Sequence, residues 1–371
     1  MPLLFFLRRP NRHESSGVSK AVENQTDAVM SKGKNKSVFK IMTVTILLIG
    51  FAALVSAFIA VKIIKSSYMK PGPLSEGVIF TVPAGAGLSR LSSDFEKNGI
   101  ISSATYLKLN ARLSGVGANI KAGEYKIPAG ASMSDIIEII SSGQTVLYPI
   151  TAPEGLTTAQ ILRILESSEH LKGQINLTPA EGALLPETYM TPRGMTRDAL
   201  IRQMMQAQTE LVDKLWDSRQ DNLPIKTKRE AIILASVVEK ETGVTSERHE
   251  VAGVFTNRLR KGMRLQSDPT IIYGISKGEP LMNRAGKRRG IFRSEIDRKT
   301  PWNTYQIDGL PQTAICNPGK DSIAAVLQPA TTKNLYFVAD GSGGHAFAST
   351  LSGHNANVAK WRKIERQRRQ R

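Results

Sequence analysis

The sequence predicts an α+β protein with one N-terminal transmembrane helix, and three observations support that class. A stretch over 41–61 carries no charge, short extended segments then alternate with amphipathic helical patterns, and Pro-x-Gly turns separate several of these segments. The 371 residues are enough for two or three domains. We therefore expect a membrane segment, then a small α+β module, then a larger mixed α/β domain.

The uncharged stretch has the length of one bilayer crossing. More Lys and Arg residues precede it than follow it closely, which favours a cytoplasmic N-terminus. We expect a disordered cytoplasmic segment over 1–40, a transmembrane helix over 41–63 and a linker over 64–77 that contains Pro-Gly-Pro. A cleaved signal peptide is the alternative, but its n-region would be unusually long and no A-x-A site follows the apolar run.

A weak internal repeat follows the linker. Three times an extended segment leads through a Pro-x-Gly turn into an amphipathic helix that has a Ser or Thr near its start as a cap. The pattern predicts a small module over 78–150 and helices over 88–99, 133–143 and 157–168. In the second of these helices four isoleucines form the side expected to be buried: Ile136, Ile137, Ile139 and Ile140.

The larger domain is predicted over 151–358. Apolar periodicity indicates further helices over 199–216, 230–241 and 250–261, and a compact apolar run over 335–339 indicates a strand. Residues 359–371 read as a basic tail, with an exposed helix end from 360 onward.

Charge and composition exclude several classes of protein. The net charge is +18, but the basic residues are dispersed and no nucleic-acid-binding motif accompanies them, so they are solvated surface or contacts for anionic lipids and carboxylates. The single cysteine, Cys316, rules out an internal disulfide, and no Cys/His spacing suits a metal. The glycine-rich run over 341–344 lacks the rest of a nucleotide-binding motif and no GxSxG is present, so no cofactor is expected.

One acidic residue lies on the apolar side of the predicted helix 230–241. Leu234, Val237, Val238 and Glu241 follow the i, i+3, i+4, i+7 spacing, whereas Glu239 points to the other side and is expected to be solvated. Apolar surroundings raise the pKa of a carboxyl, as a general acid near neutral pH requires. The alternative is that Glu241 only ends the apolar stripe near the helix C-terminus, with an Arg partner.

Two later segments concentrate polar and aromatic residues that could line a sugar-binding cleft. The first contains Asn257, Gln266 and Asp268, and the second contains Asn303 and Tyr305. Sugars combine hydroxyls with apolar CH patches, and amides, carboxylates and aromatic faces match that chemistry. The alternatives are a surface loop for the first segment and simple packing for the second.

The chain resembles the YceG-like family, the endolytic murein transglycosylases known as MltG. The resemblance covers roughly residues 40–360 and rests on a run of motifs in a fixed order: EG with LPETY (181–189), LASVVEKET (234–242), FTNRLRKGMRLQSDPTIIYG (255–274), WNTY (302–305), GLP (309–311), NPG (317–319) and YFVADGSGGHAF (336–347). The chain has Glu187 and Gln312 where members often have Asp and Pro.

The resemblance implies a fold, a location and a reaction. It implies a LysM-like subdomain over 78–150 and a catalytic domain in the periplasm, held by a single pass through the inner membrane. It implies cleavage of nascent peptidoglycan glycan strands between N-acetylmuramic acid (MurNAc) and N-acetylglucosamine (GlcNAc), leaving 1,6-anhydro ends beside the synthases. The family's catalytic glutamate falls on Glu241. No cofactor, metal or nucleic acid is implied.

Three functions stay open at this point. The first is the transglycosylase, in which Glu241 acts alone and Asn257, Gln266, Asp268, Asn303 and Tyr305 bind or position the substrate. The second is a non-catalytic, membrane-tethered peptidoglycan-binding anchor. The third is a hydrolase that pairs Glu241 with Asp268, because hydrolysis needs a second carboxylate.

Overall fold

The computed structural model describes the backbone of residues 23–114 and 120–369. Helix α1 (Glu23–Met69) contains the whole predicted transmembrane stretch. Its part Ser37–Met69 has a mean hydropathy of 2.7 in its apolar window, which is 0% buried. By length and composition, this helix is a candidate for a membrane span.

Helix α1 extends beyond the predicted transmembrane stretch in both directions. It is already helical from Glu23, where disorder is predicted, and it continues to Met69, where a linker is predicted. Residues 23–40 contain one glycine and no proline, so propagation of the helix is not interrupted there. The first strong breaker after the apolar run is Pro71, which follows the end of the helix closely. Residues 1–22 of the predicted disordered segment lie outside the described residues.

The chain divides into two compact units, and the first contains residues up to 122 together with 127–143. After α1 this unit contains β1 (Val78–Val82), α2 (Leu88–Lys97), α3 (Ala104–Ser114) and α4 (Met133–Ser142). Helices α2, α3 and α4 contribute buried side chains that include Leu91, Phe95, Leu107, Ile136 and Ile140. The short strand β2 (Gly123–Ile127) falls on the division, with Gly123–Lys126 grouped in the second unit.

Helix α4 confirms the predicted helix over 133–143. Ser132 and Asp135 form a capping box at its start, and Gly143 ends it with φ 76°, a left-handed conformation that glycine adopts without a Cβ clash. Three of the four isoleucines, Ile136, Ile137 and Ile140, are at most 2% exposed. The amphipathic pattern therefore identified both the helix and its buried side.

The second unit contains Gly123–Lys126 and residues 144–371. In chain order its elements are β3 (Leu147–Thr151), α5 (Thr158–Ser167), β4 (Thr188–Pro192), α6 (Arg197–Asp217), α7 (Lys228–Glu241), α8 (Arg248–Arg260), α9 (Asp268–Ser276), α10 (Arg293–Ile296), α11 (Lys320–Leu327), β5 (Tyr336–Ala339), β6 (His345–Ala348) and α12 (Leu351–Arg369). This mixture of helices and short strands confirms the α+β class. The predicted helices over 157–168, 199–216, 230–241 and 250–261 are all present, each shifted by at most a few residues.

Two antiparallel hairpins and two apolar clusters organise this unit. Strand β3 pairs with β4, with Ile150 opposite Tyr189, and β5 pairs with β6, with Phe337 opposite Phe347. One apolar cluster packs β3, α5, β4 and α6 together. The other surrounds α7, α8 and α11, so that α7 runs through the centre of a core.

Two predicted boundaries differ from the structure. Residues 144–150, predicted in the first module, belong to the second unit because β3 pairs with a strand that comes about forty residues later. The helix end predicted for the basic tail is present, but it belongs to α12, which begins at Leu351 inside the predicted catalytic domain and runs to Arg369. Ile364 and Trp361 lie within 3.0–3.6 Å of where a Cβ on Gly341 would stand, so this helix packs against the β5–β6 turn.

Candidate active site

Helix α7 carries the acidic residue that the sequence singles out, and its start is strongly defined. Thr227 and Glu230 form a capping box: Glu230 N donates to Thr227 Oγ1 over 3.1 Å, and Thr227 N donates to Glu230 Oε2 over 3.3 Å. The helix ends at Glu241. The carboxyl therefore lies on the last turn of a helix that is fixed at its other end.

The position of Glu241 confirms the predicted apolar stripe. Leu234, Val237 and Val238 on this stripe are at most 1% exposed, and Glu241 comes next, partly exposed, as the stripe reaches the surface. The surrounding protein raises the pKa of Glu241 to about 7 by desolvation. The carboxyl is thus largely desolvated by protein, although Glu241 as a residue keeps part of its surface exposed.

Neighbouring groups adjust this pKa in both directions. The negative charge of Asp268 raises it further, whereas the Ser267 hydroxyl, His345 and Arg258 favour the ionised carboxylate and lower the pKa. Desolvation is the largest of these effects. The carboxyl consequently titrates close to neutral pH, where one group can both give and take a proton.

The loop before α9 leads through Gln266 to Ser267 and Asp268, and these last two lie close enough to Glu241 to change its pKa. Gln266 adopts φ 51°, an uncommon backbone conformation for a residue with a side chain, and the loop is held by Ser267 N donating to Thr304 Oγ1 over 2.9 Å. Ser267 Oγ is buried beside the Glu241 carboxyl, whose ionised form it favours. A backbone strained in this way is common where function fixes the geometry.

Asp268 and Tyr305 form a pair at the exposed rim of the site. Tyr305 Oη donates to Asp268 Oδ1 over 2.7 Å, and Asp268 is the first residue of α9. Burial raises the pKa of Tyr305, so its hydroxyl stays protonated and remains a donor. Gln266 and Asp268 are exposed and Tyr305 is half-buried, so all three can reach a ligand.

Asn257 and Asn303 are placed differently from the sequence expectation. The Asn303 side chain is 1% exposed and its Nδ2 donates to the carbonyls of Ile296 and Arg298 over 2.9 and 2.7 Å. Asn257 Nδ2 donates to the carbonyls of Thr332 and Asn334 over 2.8 and 3.1 Å. Their amide donors are occupied by backbone, so these two residues order the loops around the site instead of offering donors to a ligand.

A buried arginine, Arg258, lies beneath the loop and was not among the predicted site residues. Its Nε donates to Leu335 O over 2.7 Å and its Nη1 donates to Leu265 O over 2.8 Å, which joins the loop to the segment before β5. Burial lowers the pKa of Arg258. The sequence signal for Arg258 is an arginine that follows Asn257 on a helix face of mostly apolar residues. An arginine in such a position is rarely buried unless it has hydrogen-bond or charged partners.

Strand β6 contributes its first residue, His345, to the surroundings of Glu241. Glu247 accepts hydrogen bonds from His345 N over 2.8 Å and lies 2.7 Å from His345 Nδ1. Neither the glycine-rich run before His345 nor the sequence around Glu247 predicts this contact. Their contact joins segments that lie almost a hundred residues apart, so no local pattern reveals it.

The expectation that Glu239 is solvated is wrong. Its side chain is 6% exposed, its Oε1 lies 3.3 Å from Arg248 Nη2, and its Oε2 accepts from Gly319 N over 3.1 Å. Helix α7 is buried on both sides, so the polar side of the pattern also meets protein. Among the described residues, no three His, Cys, Asp or Glu side chains are grouped so that they could hold a metal ion.

The model of the YceG-like family matches residues 80–360 of this chain. The chain belongs to the YceG-like family. The matched range includes Glu241, the loop before α9 and the β5–β6 hairpin, so every residue of the candidate site lies within the family region.

Curated relatives carry a common name. An endolytic murein transglycosylase of Bacillus subtilis is 29% identical over 76% of this chain and 84% of its own length. One of Streptococcus pneumoniae is 27% identical over 75% of this chain, which spans 57% of that longer protein. A crystal structure of a yceG-like protein from Listeria monocytogenes shares 26% identity over 76% of this chain and 98% of that one, with a TM-score of 0.47.

Proposed function

We propose that this YceG-like chain is an endolytic lytic transglycosylase of peptidoglycan. It cleaves the bond between MurNAc and GlcNAc within nascent glycan strands, leaves 1,6-anhydro-MurNAc ends and so terminates strand elongation. Two relatives named endolytic murein transglycosylase support the activity. The observation that carries the assignment to a site is Glu241, a partly exposed residue whose desolvated carboxyl has a pKa of about 7.

In the proposed mechanism one carboxyl performs both proton transfers. Protonated Glu241 donates its proton to the glycosidic oxygen as the bond from C1 of MurNAc breaks, and the GlcNAc end leaves as an alcohol. The resulting carboxylate then takes the proton of the MurNAc C6 hydroxyl as that oxygen bonds to C1. No water is consumed, and the carboxyl ends in its starting state. A pKa near neutrality balances these two opposite transfers.

The remaining site residues receive two kinds of role. Gln266, Asp268 and Tyr305 are proposed to contact sugar hydroxyls, because each is accessible and lies in the loops beside Glu241. Asn257 and Asn303 are proposed to hold those loops in place through their bonds to backbone carbonyls.

Product analysis tests the proposed function. Full-length protein in detergent is incubated with purified peptide-bearing glycan strands, and the products are identified by mass spectrometry. We expect internal cuts whose MurNAc ends lack one water relative to hydrolysis products. Ends that include the water would support the hydrolase with Asp268 as second carboxylate, and strand binding without any cut would support the anchor.

The rate is expected to fall as the pH rises through about 7. Only the protonated form of Glu241 can donate in the first step, and above a pKa of about 7 that form decreases about tenfold per pH unit. Below this value kcat/KM stays level until other groups titrate. A pH profile of kcat/KM measures the midpoint. Asp268→Asn should move the midpoint to lower pH, because the negative charge that raises the pKa of Glu241 is removed. If the midpoint did not move, the pH profile would not report the titration of Glu241.

Tyr305→Phe is expected to lower kcat/KM about tenfold, the effect of losing one hydrogen bond to a charged group. The change removes the donor to Asp268 and a donor proposed to reach the substrate, and leaves the ring in place. Steady-state kinetics on glycan strands measure it. Tyr148→Phe in β3 is the matched control, because it also removes a tyrosine–carboxylate hydrogen bond, to Glu124, within the second unit, and it should retain wild-type rates. Equal kcat/KM values for the two variants would show that Tyr305 has no role in binding or cleaving the substrate.

The proposed location is the inner membrane, with residues before α1's apolar stretch in the cytoplasm and both the LysM-like module and the catalytic domain in the periplasm. The apolar part of α1 and the excess of basic residues before it support this orientation. The LysM-like module would hold the glycan strand near its synthases. Protease added outside spheroplasts should degrade the second unit, and protection of that unit would reverse the orientation.

A further inference from the structure

A cavity of about 460 Å³ lies in the second unit beside the candidate active site. Lys240 and Pro269 line it, and these residues are the chain neighbours of Glu241 and Asp268. Its volume falls within the roughly 300–1,000 Å³ typical of ligand pockets. The cavity is therefore close to where the proposed reaction occurs, and none of the roles assigned above uses it.

The walls of this cavity are mainly apolar. Leu156, Ile272, Leu281 and Ile315 contribute aliphatic surface, and no acidic residue lines it. A bare sugar ring presents hydroxyls on most of its edges, and burying hydroxyls against such walls costs free energy. The walls fit methyl and methylene groups better than they fit an unsubstituted sugar.

The cationic residues at this cavity are not all neutralised. Arg289 is paired with Glu295 through two contacts of 2.7 and 2.8 Å. Lys240 Nζ donates to the uncharged carbonyl of Gly155 over 3.2 Å, and neither Lys240 nor the exposed Arg288 has a carboxylate partner within the described part of the chain. Two positive charges therefore face the cavity without a counter-ion from the protein, which suits a carboxylate on the ligand.

We propose that this cavity binds the lactyl-linked peptide stem of the MurNAc residue, with a stem carboxylate near Arg288 and Lys240. The inference rests on the proposed function, because it assumes that MurNAc lies next to Glu241. The lactyl group joins a short peptide to the sugar, and that substituent combines methyl groups with carboxylates. A lactyl carboxylate without a peptide has the same charge, but it is a three-carbon group that leaves most of the cavity empty.

The stem assignment makes the enzyme selective for peptide-bearing strands over strands stripped by an amidase. Two substrates and two variants test it. The substrates are the same glycan strands before and after amidase treatment. The variants are Arg288→Glu, which reverses a charge at the cavity, and Arg284→Glu, which makes the same change at an exposed residue that does not line it.

For peptide-bearing strands we expect Arg288→Glu to lower kcat/KM about tenfold, mainly through KM, because a charge-assisted contact is lost. For stripped strands the same variant should match the wild type, and Arg284→Glu should match the wild type on both. Equal losses on both substrates, or none on either, would overturn the stem assignment.

A binding measurement separates this inference from the proposed function. Calorimetry compares the full-length protein with two soluble probes, N-acetylmuramyl dipeptide and N-acetylmuramic acid. We expect tighter binding of the dipeptide, and loss of that difference in Arg288→Glu but not in Arg284→Glu. Tighter binding of the dipeptide without anhydro products would support the cavity assignment and reject the transglycosylase. Anhydro products without this selectivity would support the transglycosylase and reject the cavity assignment.

Discussion

Glu241→Gln is expected to abolish formation of 1,6-anhydro products, with a fall in kcat of about 10² to 10⁴-fold, the contribution of a positioned general acid and base. The amide keeps the shape of the side chain but can neither donate a proton to the glycosidic oxygen nor take one from the C6 hydroxyl. Because the carboxyl is mostly neutral below a pKa of about 7, replacing it with a neutral amide should leave folding intact. Product mass spectrometry on glycan strands measures the loss.

Two comparisons make that result specific. Glu166→Gln is the matched control, since Glu166 is an exposed residue of α5, and it should cleave strands at the wild-type rate. Thermal unfolding of Glu241→Gln should resemble that of the wild type, which separates lost chemistry from lost structure. If Glu241→Gln cleaved at more than a tenth of the wild-type rate, the proton would have to come from another group.

The part of this site that the sequence predicted is local. Leu234, Val237, Val238 and Glu241 were identified from one period of helical spacing, and α7 has that geometry because its capping box fixes where the helix begins. Such patterns depend only on neighbours within a turn or two of helix.

The part that the sequence did not predict depends on contacts between distant segments. Nothing near Glu239 indicates that Arg248 and Gly319 lie against it, and nothing near Asn303 shows that its amide is consumed by backbone carbonyls. The same reason explains the misplaced boundary at residue 150, because a strand is assigned to a unit by its ladder partner. Polar residues in a motif can thus bind other parts of the protein and hold loops in place, as well as contact a ligand.

Arg248→Met is expected to destabilise the second unit by about 3–5 kcal/mol, the cost of leaving a buried charge without its partner. The Arg248 side chain is 8% exposed and lies 3.1 Å from Glu154 and 3.3 Å from Glu239, with Asp321 at 3.4 Å. Removing Arg248 takes their shared partner away from three carboxylates, and burial already raises the pKa of Glu154. Urea unfolding of the full-length protein measures the difference.

The exposed pair Arg293–Asp297, 3.0 Å apart, supplies the control. Arg293→Met should change the free energy of unfolding by no more than about 0.5 kcal/mol, because solvent screens such a pair. The double variant Arg248→Met/Glu239→Gln should recover part of the lost stability, since it removes the buried carboxylate that Arg248 compensates. A double variant no more stable than Arg248→Met would assign the loss to packing instead of charge.

Arg248→Met should also reduce activity, because its partner Glu239 lies two residues before Glu241 on the last turn of α7. Arg248 and Gly319 N hold the Glu239 carboxylate from two elements, α8 and the start of α11, and so fix the end of the helix that presents the proposed acid. We expect a fall in kcat under conditions where Arg248→Met is still folded, with partial recovery in the double variant. Wild-type kcat in a folded Arg248→Met protein would show that the position of Glu241 is set by the apolar stripe alone.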